Sequence, residues 1–561
     1  MALPVLLFAA AAAVLAPDAA RVAEIARCLP ETPAWTDAAF AYDAKKAEVA
    51  LAEPIPDCSD ELYLLTATTG NRDRYQKVYF RRLEMLRTLA GAARETGDDR
   101  YLKRTVGLLE AICAERSWTM PAHDLQLTNF KGTHLTIDLG SSHRALALAG
   151  VLAQLGERIP PAVRAKTMAE LERRVLSPYR ATNRDSADEK ALARHGNWWF
   201  FGRSNWGAVC HSCVVRAALA VLPDRMDRAG FVEAAERGMR FFLESFLPDG
   251  YCTEGMGYWN YGYGHYLELT LAVRKATGGL VDYARLPRAE EAMGYAFGYT
   301  LDGSHCPVFA DGGGGCATRR FLDMGCSIWP EFDAMRKGPL PCRTLFPDAQ
   351  VYIGRAKRVS FGVKGGDNAE LHNHNDIGSW TLYLDGEEVA GDPGGEIYTA
   401  RTFSKDRYVS DVLNSYGHPV PRVGGELQLT GAESKAEIVR RDFTADRDVF
   451  ALDISSAYPA TRGKKGALVR EVVFDRAAES VTVTDRLRVA SPVAFESAVV
   501  SYSDACPLVP TPTGATWHRE EKAIENPGKR TAHRFAVVFD APVANAAVAW
   551  GFKAKTEGGK R

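Results

Sequence analysis

Two hydrophobic periods divide the chain. From about residue 21 to residue 343 apolar positions recur every three or four residues, as in Leu83, Leu86 and Leu89 or Val215, Leu219 and Leu222. That spacing belongs to helices with one buried face, and it predicts helices over 76–96, 101–115, 144–155, 161–175, 205–222, 229–246 and 258–277. Glycine, proline and aspartate punctuate the run at intervals of one or two helices. No repeat of fixed length is present, so the pattern fits a toroid of irregular helical hairpins better than a solenoid.

Near Phe346 the period changes to two. Strand-like runs follow at 351–353, 359–363, 380–384, 449–454, 469–474, 480–489, 495–502 and 535–539, bounded by Gly, Asp and Asn. Asp385-Gly386 is a hairpin turn between Leu384 and Glu387. The second part therefore reads as antiparallel β, plausibly two packed sheets. The expected organisation is a signal peptide over 1–20, a helical domain over 21–343 and a β domain over 344–561.

The first segment rests on 3–16 (LPVLLFAAAAAVLA), an uncharged run with the length of a secretory h-region, followed by small residues around Pro17–Ala20. No Lys or Arg precedes it and Pro17 follows the most obvious cleavage position, so an apolar first helix is the competing reading. The run is too short to span a bilayer, and no other stretch approaches twenty apolar residues, so no membrane span is expected. Export makes a secreted or periplasmic location the expectation.

Charge narrows the partners. With 69 Lys+Arg against 70 Asp+Glu, the net charge of −1 excludes a uniformly basic surface and argues against nucleic acid as partner. An anionic polymer would have to be held in a local cleft. The eleven cysteines are scattered and odd in number. Cys210-x-x-Cys213 lies in an apolar helical pattern with no second CxxC, and reads as buried small hydrophobes more readily than as a redox pair or a zinc site.

Candidate chemistry falls in two places. In the β part, Glu370-Leu-His372-Asn-His374-Asn-Asp376-Ile-Gly-Ser379 is followed by Gly391-Asp392-Pro-Gly-Gly395 and by Asn414-Ser-Tyr-Gly-His418-Pro. On a strand, His372 and His374 would face the same side. Two imidazoles and a carboxylate suit a divalent metal, although spacing alone does not choose the ligands. Histidines in turns bonded to backbone carbonyls are the plainer alternative. In the helical part, Asn197-Trp-Trp199-Phe-Phe201-Gly-Arg203-Ser-Asn205-Trp206 and Pro248-Asp249-Gly250 through Glu254, Tyr258, Trp259, Tyr261 and Gly264 are dense in aromatics, Asn and Gly. Flat rings of this kind suit the wall of a sugar-binding cleft, and aromatic packing between helices is the competing explanation. The glycines between Tyr258 and Gly264 would weaken a purely structural helix, each by up to about 1 kcal/mol relative to alanine.

The combination of Asn205-Trp206, Pro248-Asp249-Gly250, Glu254-Gly255-x-x-Tyr258-x-x-Tyr261-Gly262, His372-Asn-His374-Asn-Asp376-x-Gly378-Ser379 and Asp392-Pro393-Gly394 resembles the heparinase II/III family of polysaccharide lyases. The resemblance runs from the helical region to at least His418. It implies an incomplete (α/α) toroid followed by a C-terminal antiparallel β-sandwich. The implied activity is β-elimination on a uronate-containing polysaccharide such as heparan sulfate, chondroitin sulfate or hyaluronan, with alginate as the main rival substrate. Asn205 would neutralise the uronate carboxylate, and His372 with Tyr261 or Tyr258, Tyr261 slightly preferred, would move the protons. His374, Asp392 and His418 would hold a structural divalent metal, most readily Zn2+.

Some relatives place histidine beside the asparagine where this chain has Trp206, and His211 could substitute or simply pack. Trp206, His211, Arg203, Glu254, Trp259 and Arg407 are the candidate substrate contacts, with Arg194, His195, Arg401 and Lys405 as further basic groups of a possible rim. Two other classes remain at this point. A toroidal glycoside hydrolase would need a carboxylate pair, for which Asp249 and Glu254 are the obvious choice. A non-catalytic polysaccharide-binding protein would need only the aromatic and basic groups.

Overall fold

The computed structural model describes residues 15–69 and 71–555. Most of the expected signal peptide, 1–14, lies outside these. From Leu15 onward the chain is integrated: Leu15 is buried, its carbonyl accepts from Ser186 Oγ at 2.6 Å, and Asp18 caps the helix Ala19–Cys28.

Helix and strand follow the two periods. Helices Asp73–Thr96, Asp99–Ala114, Leu139–Leu155, Asn205–Val221 and Arg225–Leu243 form where apolar residues recur every three or four positions. Aspartates start many of them. Asp18, Asp43, Asp98, Asp138, Asp188 and Asp224 each accept hydrogen bonds from first-turn amides, which satisfies donors that a helix leaves open. The expected helix 161–175 ends as α-helix at Leu171 and continues as a π turn, Glu172–Leu176. The expected helix 258–277 is likewise interrupted. It consists of a short turn Met256–Tyr258, a π turn Trp259–Tyr263, and α-helix only over Gly264–Ala276.

Helix ends and strands begin between Lys337 and Arg343. Packing divides the chain differently. Among the described residues, one compact unit comprises those up to Ser245 with Tyr261–Ala289, and the other comprises Phe246–Asn260 with those from Glu290 onward. The helical unit is organised on Asn205–Val221, in which every residue except Trp206 and Val221 is buried and which packs on Leu139–Leu155, Arg225–Leu243 and Gly264–Ala276. A helix apolar on all sides belongs at the centre of its domain. Its one buried cation, Arg216, is paired with Asp37 and with Glu268 at 2.7 Å.

The second unit holds antiparallel sheets. One has the order Arg343–Phe346, Val351–Arg355, Val359–Val363, Trp380–Leu384, Glu387–Ala390. A six-stranded sheet runs Val509–Thr513, Val543–Lys553, Ser480–Val493, Leu468–Asp475, Arg447–Asp453, Glu437–Phe443, and a four-stranded sheet runs Trp517–Ile524, Ala532–Phe539, Phe495–Ser501, Arg422–Val423. Leu468–Asp475 alternates strictly between buried and half-buried residues, as a one-sided strand must. Their inner faces share one core, including Phe361, Trp380, Phe450, Val483, Val499, Val537 and Trp550. At the Asp385-Gly386 turn both residues adopt positive φ, 52° and 81°, as the tight primed hairpin requires. The architecture is thus a helical toroid-type region followed by an antiparallel β-sandwich.

Candidate functional site

The His372–Asp376 segment is a loop, so the two histidines are not placed by the alternation they would have on a strand. It lies between the short strand Asp367–Asn368 and Trp380–Leu384, and His372 adopts φ +56°. A non-glycine residue held in the left-handed region carries strain of the kind found at functional sites. The two histidines converge nonetheless, because both meet one carboxylate. Asp311 Oδ2 lies 3.0 Å from His372 Nδ1, and Asp311 Oδ1 lies 3.0 Å from His374 Nε2. Arg407 donates to the same Oδ2 at 3.0 Å and to the Asn373 carbonyl at 3.0 Å. Burial acts to raise the Asp311 pKa, but the bonds from both histidines and the Arg407 charge hold it well below the usual carboxylate range. An ionised carboxylate only accepts, so Nδ1 of His372 and Nε2 of His374 both carry hydrogen.

Around His372 stand Tyr258, Tyr398 and Glu254. The Tyr258 ring stacks on the imidazole with centroids 4.3 Å apart, and its Oη lies 3.4 Å from Nδ1. Tyr398 Oη is 2.7 Å from Tyr258 Oη and 3.3 Å from the same nitrogen. Glu254 Oε2 is 3.5 Å from Nε2. The Tyr258 backbone gets this close because Gly257 has no side chain: a Cβ there would sit 2.4 Å from the Gly312 carbonyl oxygen, next to Asp311.

Behind this cluster lies a second one. His374, Asp392 and His418 are fully buried and offer one ligand atom each within 4.8 Å of one another. His418 Nε2 faces the Val412 carbonyl at 2.9 Å, so it carries the hydrogen, and Nδ1 faces Asp392 Oδ2 at 3.0 Å. Asp392 also accepts from Ser379 Oγ at 2.7 Å. With His374 Nε2–H committed to Asp311, His374 Nδ1 is a buried lone pair with no hydrogen-bond partner. This donor set fits a divalent cation, with Asp311 as the outer carboxylate that orients one imidazole. Arg470, itself ion-paired to Asp485 at 2.7 Å, ties the two loops by donating to the carbonyls of Gly378 and Pro419, both at 2.6 Å.

The helical unit carries its own group. Asn205 is the first residue of Asn205–Val221 and is buried, and Gly262 packs so closely on it that a Cβ there would lie 2.9 Å from the Asn205 Cβ. Trp206 is half-buried between His123, with centroids 4.6 Å apart, and Trp198, at 5.1 Å. Trp198 is 54% exposed, so this aromatic face is open to solvent. Tyr261 places its Oη 3.1 Å from His143 Nε2. Tyr258 and Tyr261, expected on one helical face, are parted by the π turn and reach different partners.

Several expected substrate contacts are occupied otherwise. His211 is fully buried, with Nδ1 2.7 Å from Tyr179 Oη and Nε2 2.9 Å from the Phe200 carbonyl, and burial lowers its pKa to about 4. It is a neutral core histidine. Trp259 is also fully buried and donates to the Ala292 carbonyl at 2.7 Å, so its ring does not face a ligand. Glu254 turns toward His372, and Arg407 serves Asp311. Arg203 is an exposed ion pair with Glu244 at 2.6 Å, His195 pairs with Asp185 at 2.8 Å, and Arg401 pairs with Glu396 at 2.5 Å. Asp249 accepts from the amides of Tyr251 at 3.0 Å and Asp348 at 2.9 Å and so holds turns.

Sequence reasoning missed Asp311, Tyr398 and His143. Asp311 stands alone in Asp-Gly-Gly-Gly-Gly, where the only signal was a glycine run that lets the backbone crowd a neighbour.

No family model matches the chain, and no curated protein matches it by sequence. Solved structures do match by fold. A heparinase III crystal structure aligns with a TM-score of 0.60 at 13% identity, over 86% of this chain and 78% of the other. A second heparinase III gives 0.62 at 10% identity, over 94% and 87%. The heparan sulfate lyase HepC from Pedobacter heparinus gives 0.54 at 13% identity, over 91% and 87%. At these identities the match establishes the shared fold.

Proposed function

We propose that the chain is a polysaccharide lyase of the heparinase II/III type that cleaves a uronate-containing polysaccharide by β-elimination. The observation that carries the reading is the Tyr258–His372–Asp311 arrangement: a phenol stacked on an imidazole whose Nδ1 also meets a buried, ionised carboxylate. The shared fold supports it, since the similar structures are themselves named as heparinases and a heparan sulfate lyase.

Elimination removes the C5 proton of a uronate, forms the C4–C5 double bond with that electron pair, and expels the glycosidic oxygen from C4, which takes a proton. Because Asp311 fixes the hydrogen on Nδ1, Nε2 of His372, which Glu254 Oε2 faces at 3.5 Å, is the nitrogen that would accept the C5 proton, imidazole being the commonest general base. Tyr258 would donate its phenolic proton to the departing glycosidic oxygen. This moves the preference from Tyr261 to Tyr258, since Tyr258 is the tyrosine that meets His372. Asn205 would donate to the uronate carboxylate, where charge accumulates in the transition state. The exposed aromatic face of Trp198 and Trp206 would stack on a sugar ring.

A divalent ion of the zinc type would be held by His374 Nδ1, Asp392 and His418 Nδ1, and would serve to fix the loop that carries His372. Glycosaminoglycans are the favoured substrates and alginate the main rival, and the apolar 3–16 run supports export. The test is ultraviolet absorbance during incubation with heparan sulfate, chondroitin sulfate, hyaluronan and alginate, because elimination leaves a conjugated double bond. Sugar release without that absorbance would identify a hydrolase and refute the reading.

A further inference from the structure

Three helices of the helical unit bring together His143, Cys213 and His265. The residues lie on Leu139–Leu155, Asn205–Val221 and Gly264–Ala276, and each offers one ligand atom within 4.8 Å of the others. We propose that these three side chains form a metal site for a borderline-soft divalent cation, zinc above all, that pins the three helices together.

The geometry suits such an ion. Cys213 Sγ is 3.7 Å from His143 Nδ1. Tetrahedral zinc with Zn–S of about 2.3 Å and Zn–N of about 2.0–2.1 Å places sulfur and nitrogen about 3.6 Å apart. The imidazoles of His143 and His265 have centroids 5.2 Å apart, tilted by 57°, and so do not stack face to face. The second nitrogen of each imidazole faces an outer group, His143 by a hydrogen bond and His265 by a longer electrostatic approach. His143 Nε2 lies 3.1 Å from Tyr261 Oη, and His265 Nδ1 lies 3.4 Å from Glu268 Oε2, a carboxylate in turn paired with Arg216. With Nδ1 of His143 on the ion, Nε2 carries the hydrogen and donates to the Tyr261 oxygen.

The chemistry of the donors agrees. A cysteine sulfur held against two imidazoles is the soft donor, as thiolate, that a borderline-soft cation takes. Leu146 and Val209 pack beside Cys213. Cys210, one helical turn away, has a different neighbour, Ser142 Oγ at 3.3 Å, so the sequence pair Cys210-x-x-Cys213 is not the ligand set. Two imidazoles and one thiolate leave a fourth position for water.

The test uses the full chain, stripped of metal under reducing conditions and titrated with Co2+. The expected result is a near-ultraviolet thiolate-to-cobalt charge-transfer band that saturates at one equivalent and disappears when Zn2+ is added. That band should be absent in Cys213→Ser and reduced in His265→Ala, with one zinc fewer per chain in each. Absence of the band in the wild type, or its persistence in Cys213→Ser, overturns the proposal. Should Cys213→Ser fail to fold, the wild-type titration and His265→Ala decide alone. Of the two clusters found among the described residues this is the one with a cysteine, so a chain whose His374 cluster holds no ion would still show the band with a total of one zinc.

Discussion

The carboxylate of Asp311 meets the imidazole of His372 at 3.0 Å, Oδ2 to Nδ1, from a position 61 residues earlier in the chain. Its other oxygen holds His374, so one buried anion orients the proposed base and a proposed metal ligand together. Asp311→Asn keeps the size but offers a single carbonyl to two N–H donors and leaves Arg407 without its anion. Loss of an orienting carboxylate costs up to about 10⁴-fold in turnover, and loss of an outer carboxylate about 10–100-fold in metal affinity. The expected variant is folded, at least 100-fold slower in the absorbance assay by that scale, and weaker in zinc binding. Wild-type turnover would remove Asp311 from the machinery.

Tyr258 and Tyr261 make separable predictions because they touch different groups. Tyr258→Phe removes the hydroxyl beside His372 and Tyr398 while keeping the stacked ring, and turnover should fall by the roughly 10²–10⁴-fold typical of a lost general acid. Tyr261→Phe removes only the partner of His143 Nε2 and should slow the enzyme far less. Steady-state rates on one substrate compare the two directly. The opposite ranking would return the proton-transfer role to Tyr261.

What could be read in the sequence was what is local. The three- and four-residue spacing, punctuated by glycine, proline and aspartate, foretold the helices, and the Asp385-Gly386 turn foretold its hairpin. The His374, Asp392 and His418 set was named from family motifs, and those side chains do converge. The failures are tertiary. The alternation of His372 and His374 would set both on one face of a strand, but a left-handed residue and a loop bring both to one carboxylate instead. Asp311 had no chemically telling neighbours, and His143, Cys213 and His265 sit on three different helices. Trp259 and His211 looked like site residues because aromatic and imidazole side chains fill cores as well as clefts, and only burial tells the two apart.

His418→Ala tests the buried cluster independently of catalysis. The substitution removes the Nδ1 that faces Asp392 and the Nε2–H that satisfies the Val412 carbonyl. An ion bound to the native state alone stabilises it, so both zinc content and thermal midpoint should fall. Metal analysis should give one zinc fewer than wild type, with the cobalt–thiolate band of the Cys213 site unchanged. A full zinc complement in this variant would refute the ligand assignment.

His211 predicts a defined acid sensitivity of the helical unit. Its folded pKa is lowered by burial to about 4, against an unfolded value near 6.5. The unfolded chain therefore takes up a proton first as pH falls. The neutral histidine costs nothing above about pH 6.5, and stability drains away between there and pH 4, after which the loss is complete. At pH 5 the linkage amounts to about 2 kcal/mol relative to pH 7. A glutamine amide can donate to the Phe200 carbonyl and accept from Tyr179 as the imidazole does, but it does not titrate. His211→Gln should therefore start somewhat less stable at pH 7 and lose less on acidification. Thermal midpoints of the two proteins at pH 7 and pH 5 measure the difference, and equal acid shifts would show that His211 is not held neutral in the core. Gly238 offers a companion check, because a Cβ there would lie 2.1 Å from His211 Nε2. Gly238→Ala should destabilise by about 1–3 kcal/mol through overpacking.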